Sequence, residues 1–160
     1  MRRNLTRVLL SLCIFAAAAL AADDPFLGTW KANVAKSAFS PGPPPTSVTV
    51  TIEPNGTNGI KVTVEAINAK GEKTVAHYSA NYDGKEYPFV QTGAGAVSGQ
   101  TVSLKRIDSH TVERTTYVEG KQLMTEQWVV SQDGKTRTVT QTGTNAQGQA
   151  VHNIVVNDKQ

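Results

Sequence analysis

The chain has 160 residues and a mass of 17.1 kDa, the size of one domain, and its 39% hydrophobic and 18% charged content excludes wholesale disorder. Three of its sixteen basic residues, Arg2, Arg3 and Arg7, precede position 8; without them thirteen basic residues face thirteen acidic ones, and the formal charge of +3 vanishes. That balance removes the electrostatic case for nucleic acid or an acidic membrane surface. The only cysteine, Cys13, lies in the same leader, so the chain beyond the leader has no disulfide, thiolate nucleophile or cysteine metal site.

The leader pairs those arginines with an apolar stretch from Val8 to Leu20, followed by Ala19-Leu20-Ala21 as a small-x-small cleavage site and by Asp23-Asp24. This reads as a secretory signal peptide over residues 1–21, with a mature domain over 22–160 that is secreted or periplasmic. A membrane span needs roughly 20 apolar residues, more than this stretch supplies. Leu12 stands before Cys13 where a lipoprotein anchor expects a small residue, and Arg2-Arg3 alone is a weak twin-arginine signal.

From Ala22 onward there are 18 Thr and 17 Val but only three Leu, a composition suited to pleated strands and poor in helix formers. Alternation of period two recurs throughout, as in Val48, Val50, Ile52 and in Met124, Glu126, Trp128, Val130, so each run has one buried and one wet face. X-Gly turns at Asn55-Gly56, Lys70-Gly71, Asp83-Gly84, Glu119-Gly120, Asp133-Gly134 and Gln147-Gly148 separate the runs. The pattern predicts about ten strands, at 27–33, 46–54, 59–68, 73–82, 85–90, 100–107, 110–118, 121–131, 135–143 and 149–157. The expected fold is all-β: an antiparallel up-and-down meander closed into a barrel, which removes exposed edges. An open sandwich is the alternative.

Two segments interrupt the pattern. Ser40-Pro41-Gly42-Pro43-Pro44-Pro45 reads as a stiff extended connection. Gly93-Ala94-Gly95-Ala96-Val97-Ser98-Gly99 leads into a strand rather than a helix, so it is not a phosphate loop, and it is expected at the barrel mouth beside the ligand entry.

Catalytic sets are not evident, and no enzyme is expected. His77, His110 and His152 lack metal-ligand spacing, there is no Gly-x-Ser-x-Gly elbow, and Glu113, Glu119 and Glu126 are scattered. The informative polar residues share strand faces with apolar ones: Arg106 with Val102 and Leu104, Arg114 with Val112, and Glu126 with Trp128. If those faces point inward, the lumen holds two guanidiniums and a carboxylate among Tyr78, Tyr82 and Trp128, and Arg106 or Arg114 receives a ligand's acidic head. Glu126 is the rival partner for both arginines. A frame shift that turned Ile107 and Tyr117 inward would instead put the charges in water.

Phe26-Leu27-Gly28-Thr29-Trp30-Lys31 on the first strand resembles the G-x-W signature of the calycins, with wording closest to the fatty-acid-binding proteins. The longer run through Lys36-Ser37-x-Phe39 and the prolines, and again over Val102–Asp108 and Thr111–Thr115, is similar to small secreted bacterial lipocalin-like proteins. The resemblance implies a calycin-like β-barrel in which Trp30 plugs the closed end, Gly28 lets the strand start against neighbouring backbone, and Arg137 stacks on Trp30, all three structural. It also implies a lumen for a small apolar or amphipathic molecule, or else a protein-interaction module such as a protease inhibitor. The chain departs from the fatty-acid-binding pattern in having only a short proline-rich connection where the helical lid belongs, and no Arg-x-Tyr pair at His152–Val156. The expected partner is thus a small molecule, bound by a monomer, with no cofactor, metal, nucleic acid or membrane span.

Overall fold

The computed structural model describes residues 24–145 and 147–160. The leader, with Cys13 and the cleavage site, lies outside the described residues. Ten antiparallel strands form one closed barrel: β1 (Gly28–Ala32), β2 (Ser47–Pro54), β3 (Gly59–Ile67), β4 (Lys73–Asn81), β5 (Tyr87–Gly93), β6 (Gln100–Arg106), β7 (Thr111–Val118), β8 (Lys121–Val130), β9 (Thr136–Thr144) and β10 (Ala150–Lys159). Each strand pairs with its sequence neighbour, and β1 closes the ring against β10 through Trp30 opposite Lys159. The expected sandwich alternative is thereby excluded.

The alternating residues do what their period requires. Val50, Ile52, Ile60, Val62, Val102, Leu104 and Val112 turn inward and are buried, whereas Ile107 stands 52% exposed on the outside. At one end Phe26 and Trp30, both fully buried, plug the ring; the Trp30 indole N–H donates to the Phe26 carbonyl at 2.8 Å, and the Phe26 ring lies 6.3 Å from that of Trp128. Gly28 has φ +117°, a backbone conformation that side chains rarely adopt. What approaches it is the end of the Lys159 side chain rather than neighbouring backbone, so φ is the reason for glycine here.

The strand bounds differ from the expected ranges by one or two residues except at β5, which departs furthest. Asp83 and Gly84 themselves bridge to β6, with Asp83 opposite Lys105 and the Gly84 N–H on the Leu104 carbonyl, and β5 begins at Tyr87 rather than 85. At its far end β5 runs on to Gly93, still paired with Thr74 of β4.

The link from β1 to β2 crosses the other end as a strap. After a single 3-10 turn at Val34–Lys36, Ala38 exchanges two hydrogen bonds with Ile154 (2.8 and 2.9 Å), and the Ser40 carbonyl accepts from the His152 N–H (2.8 Å). The strap thereby covers the part of the β10 edge that the short β1 does not reach, and Thr46 then fastens it to the Ile67 carbonyl beside β2.

Candidate functional site

A cavity of about 470 Å³ occupies the barrel between the Trp30 plug and the strap, within the size range of small-molecule pockets. Its walls are valines and small residues facing inward from β2, β3, β4, β9 and β10, among them Val50, Val62, Val64, Ala76, Val139 and Val155. Phe39, Pro41, Pro43 and Pro45 form its rim. These four stand at every second position of the strap, so the proline-rich connection is itself an extended segment with one face on the lumen. That spacing was the available signal for a rim that a reading as a mere spacer overlooks. The Gly93–Gly99 loop is at the same end but does not line the cavity; the rim is the strap's, because the strap and not the loop lies across the β10 side.

Three charged groups line the cavity: Arg114, Glu126 and Arg137. Arg114 and Glu126 face each other directly across β7 and β8, and their side chains meet at 2.7 Å. The pair is completed by neighbours. Glu126 Oε2 accepts from the Trp128 indole N–H at 2.8 Å, and Oε1 also accepts from Gln141 Nε2 at 2.9 Å. Burial would raise the Glu126 carboxyl, but the Arg114 guanidinium and these hydrogen bonds outweigh it and hold the carboxyl below its ordinary range. Burial likewise opposes charge on Arg114, and the Glu126 carboxylate more than compensates. The Arg114 guanidinium also lies 5.2 Å from the ring centroids of both Tyr78 and Phe89.

From Glu126 a chain of hydrogen bonds climbs to the strap. Gln141 donates to Glu126, Asn153 Nδ2 donates to Gln141 Oε1 at 2.8 Å, and the Ser40 backbone N–H donates to Asn153 Oδ1 at 2.9 Å.

Arg137, near the start of β9, is 2% exposed and packs between two indoles, its guanidinium carbon 5.4 Å from the Trp30 ring and 5.2 Å from that of Trp128. It does stack on Trp30, but it also borders the lumen, a second position that the resemblance did not imply. Its Nε and Nη1 are buried without a hydrogen-bond partner, as are Arg114 Nε and the Tyr78 hydroxyl.

The six residues expected to line one site divide between two places. Arg114, Glu126, Tyr78 and Trp128 meet in the lumen, whereas Arg106 and Tyr82 do not join them. Arg106 is the last residue of β6 and so emerges at the plugged end, where it forms an ion pair with Asp24 and stacks 4.1 Å over Tyr82 and 5.3 Å over Phe26. Asp24 also caps the Phe26 N–H (3.1 Å) and accepts from the Tyr82 hydroxyl (3.3 Å), so Arg106 and Tyr82 fasten the N-terminal turn. Burial, followed by the Asp24 carboxylate, raises the Tyr82 hydroxyl. Both arginines expected to await a ligand anion therefore have a carboxylate of this chain already, and the acidic-head role falls from Arg106 and Arg114.

Among the described residues, no group of three His, Cys, Asp or Glu side chains gathers as metal ligands, and no helix is long and apolar enough to cross a membrane. No protein-family model matches the chain, and no curated protein matches it by sequence. Among solved structures it is similar to the crystal structure of a point mutant of the fluorescent protein UnaG, with a TM-score of 0.58 at 16% identity over 85% of this chain and 96% of that one. At that identity the likeness is one of fold, and it agrees with the closed ten-strand, calycin-like β-barrel expected from the Gly28-Thr29-Trp30 strand.

Proposed function

We propose that this protein is a secreted or periplasmic binding protein that holds a small apolar or amphipathic molecule in the barrel lumen. The open cavity carries the reading: a barrel of this size can be filled solid by its own side chains, and this one leaves about 470 Å³ lined mostly by valine, alanine, phenylalanine and proline. An interaction module working through its outer surface has no use for such a space. Ala76, on β4, faces the lumen with room in front of it. Placing Phe there (Ala76→Phe) is expected to weaken binding of the neutral fluorophore Nile red on the order of tenfold, about 1.4 kcal/mol, with the far-ultraviolet circular dichroism unchanged. Nile red that fails to saturate the wild type, or that ignores Ala76→Phe, would remove the lumen from consideration.

Export rests on the leader. Protein recovered from outside the cytoplasm is expected to begin at Ala22 or Asp23 on N-terminal sequencing; recovery of Met1 would contradict it.

A further inference from the structure

We propose that the plugged end of the barrel carries a second binding site, separate from the lumen, that takes a neutral saccharide. Three segments meet there around a cleft of about 570 Å³: the N-terminal turn (24–27), the tip of the β2–β3 hairpin (54–59) and the β6–β7 turn (109–110). The cleft shares no lining residue with the lumen. Phe26 stands between them, its ring 5.3 Å from the Arg106 guanidinium that lines the cleft and 6.3 Å from the Trp128 ring that lines the lumen.

The cleft holds polar groups that the fold leaves unspent. Asp24 is not one of them: Oδ1 accepts from the Phe26 N–H, and Oδ2 accepts from Arg106 and from the Tyr82 hydroxyl. Arg106 gives only Nη2 to that carboxylate. Its Nε and Nη1 have no hydrogen-bond partner among the described residues, yet 28% of the side chain is exposed and neither atom is sealed from solvent. Nearby, His110 Nδ1 shares a hydrogen bond with the Ser109 hydroxyl at 2.9 Å, which leaves Nε2 for another partner. The Thr57 hydroxyl and the Asn58 amide stand on the exposed hairpin tip and likewise bond to no side chain or backbone group among the described residues.

Charge selects the class of ligand. The permanent charges lining the cleft, on Arg106 and Asp24, cancel, so an anion brought to the guanidinium also meets the carboxylate, and a cation meets the reverse. A hydroxyl group both donates and accepts. It can therefore serve a guanidinium N–H, an imidazole nitrogen, an amide and another hydroxyl without adding net charge. A sugar ring also has an apolar C–H face, and Pro25, Leu27 and Pro54 supply the dry wall that such a face needs. Dry walls with a few convergent polar groups, at this volume, are the usual make-up of a small-molecule site. Because the cleft opens at the end opposite the strap, a glycan held there leaves the rim of the lumen clear.

The test titrates the mature protein with cellobiose, maltose and N,N′-diacetylchitobiose by isothermal calorimetry, with mannitol, glucuronate and glucosamine as comparators. At least one of the neutral disaccharides is expected to bind saturably with a Kd of about 1 mM or lower, and each comparator about tenfold or more weakly. Thr57→Trp places an indole in the cleft from an exposed position, and it is expected to weaken that binding about tenfold or more with the far-ultraviolet circular dichroism unchanged. In wild type the amide resonances that move on adding sugar are expected to lie within 24–27, 54–59 and 106–110, a mapping that decides the location should the variant not fold. No saturable binding by any of the disaccharides overturns the site. Binding that ignores folded Thr57→Trp, or that moves resonances of the lumen strands instead, overturns its location. A charged sugar or mannitol that binds as tightly as the best disaccharide overturns the neutral-saccharide class. Each of these outcomes is independent of Nile red binding in the lumen, so the two readings stand or fall apart.

Discussion

Replacing Glu126 with Gln is expected to destabilise the barrel by about 3–5 kcal/mol, the usual consequence of removing one member of a buried ion pair. The carboxylate is 7% exposed and meets Arg114, Trp128 and Gln141. Without it two buried guanidiniums share the lumen with no internal anion. Removing both partners together, as Arg114→Met with Glu126→Leu, is expected to recover most of the loss, because two apolar side chains need no compensation. Urea denaturation of the three proteins measures both effects, and an unchanged midpoint in Glu126→Gln would disprove the buried pair. The pair also sets an acid limit. A carboxyl held below its ordinary value of 4.5 contributes stability that is complete above that value and fades as pH falls through the lower folded value. Wild type should therefore lose more stability than Glu126→Gln over that acidic interval.

Trp30→Ala is expected to cost a similar amount, roughly 3–5 kcal/mol, by opening a large cavity at the plugged end. Trp30 is fully buried, its indole N–H holds the Phe26 carbonyl, and its ring lies between the cations of Arg137 and Lys159, at 5.4 and 5.0 Å. Truncation removes the packing and leaves Arg137 with only one aromatic face. The denaturant midpoint reports the loss, and hydrogen exchange should localise it to β1 and its neighbours β2 and β10. A midpoint matching wild type would mean that the ring is not closed around this residue.

The barrel was largely legible because period two states which face of each run is wet, and hairpin glycines state where runs end. The site was less so, because alternation assigns a side but neither depth along the axis nor register. Arg106 and Arg114 have the same inward parity, yet one ends β6 beside Asp24 while the other sits in mid-strand on β7. The ion pair shows the problem of register most clearly. The Glu119-Gly120 turn, both residues at positive φ, pairs Val118 with Lys121 and Tyr117 with Gln122; continued unbroken, that register would set Arg114 opposite Thr125. It would also match the apolar face of β7 with the wet face of β8. A bulge between Thr116 and Tyr117 moves the register by one residue and brings Arg114 opposite Glu126. The conflict between turn length and alternation was present in the sequence, and the bulge resolves it. Arg137 was legible as the partner of Trp30, but that it has no carboxylate depends on where the strands place the acidic residues, which composition does not carry.

The amide chain from Glu126 through Gln141 and Asn153 to Ser40 has a kinetic consequence. Every link has one polarity, each amide giving its N–H bonds toward Glu126 and offering its oxygen toward the strap. The strap is thus not an independent flap; lifting Ser40 leaves Asn153 Oδ1 without its donor and loosens an arrangement that ends on the buried carboxylate. A molecule passing the rim in either direction meets the same barrier, so tightening or loosening the strap changes the rates of entry and departure by the same factor. In the proposed binding role the strap scales both rates together and leaves the affinity to the lumen.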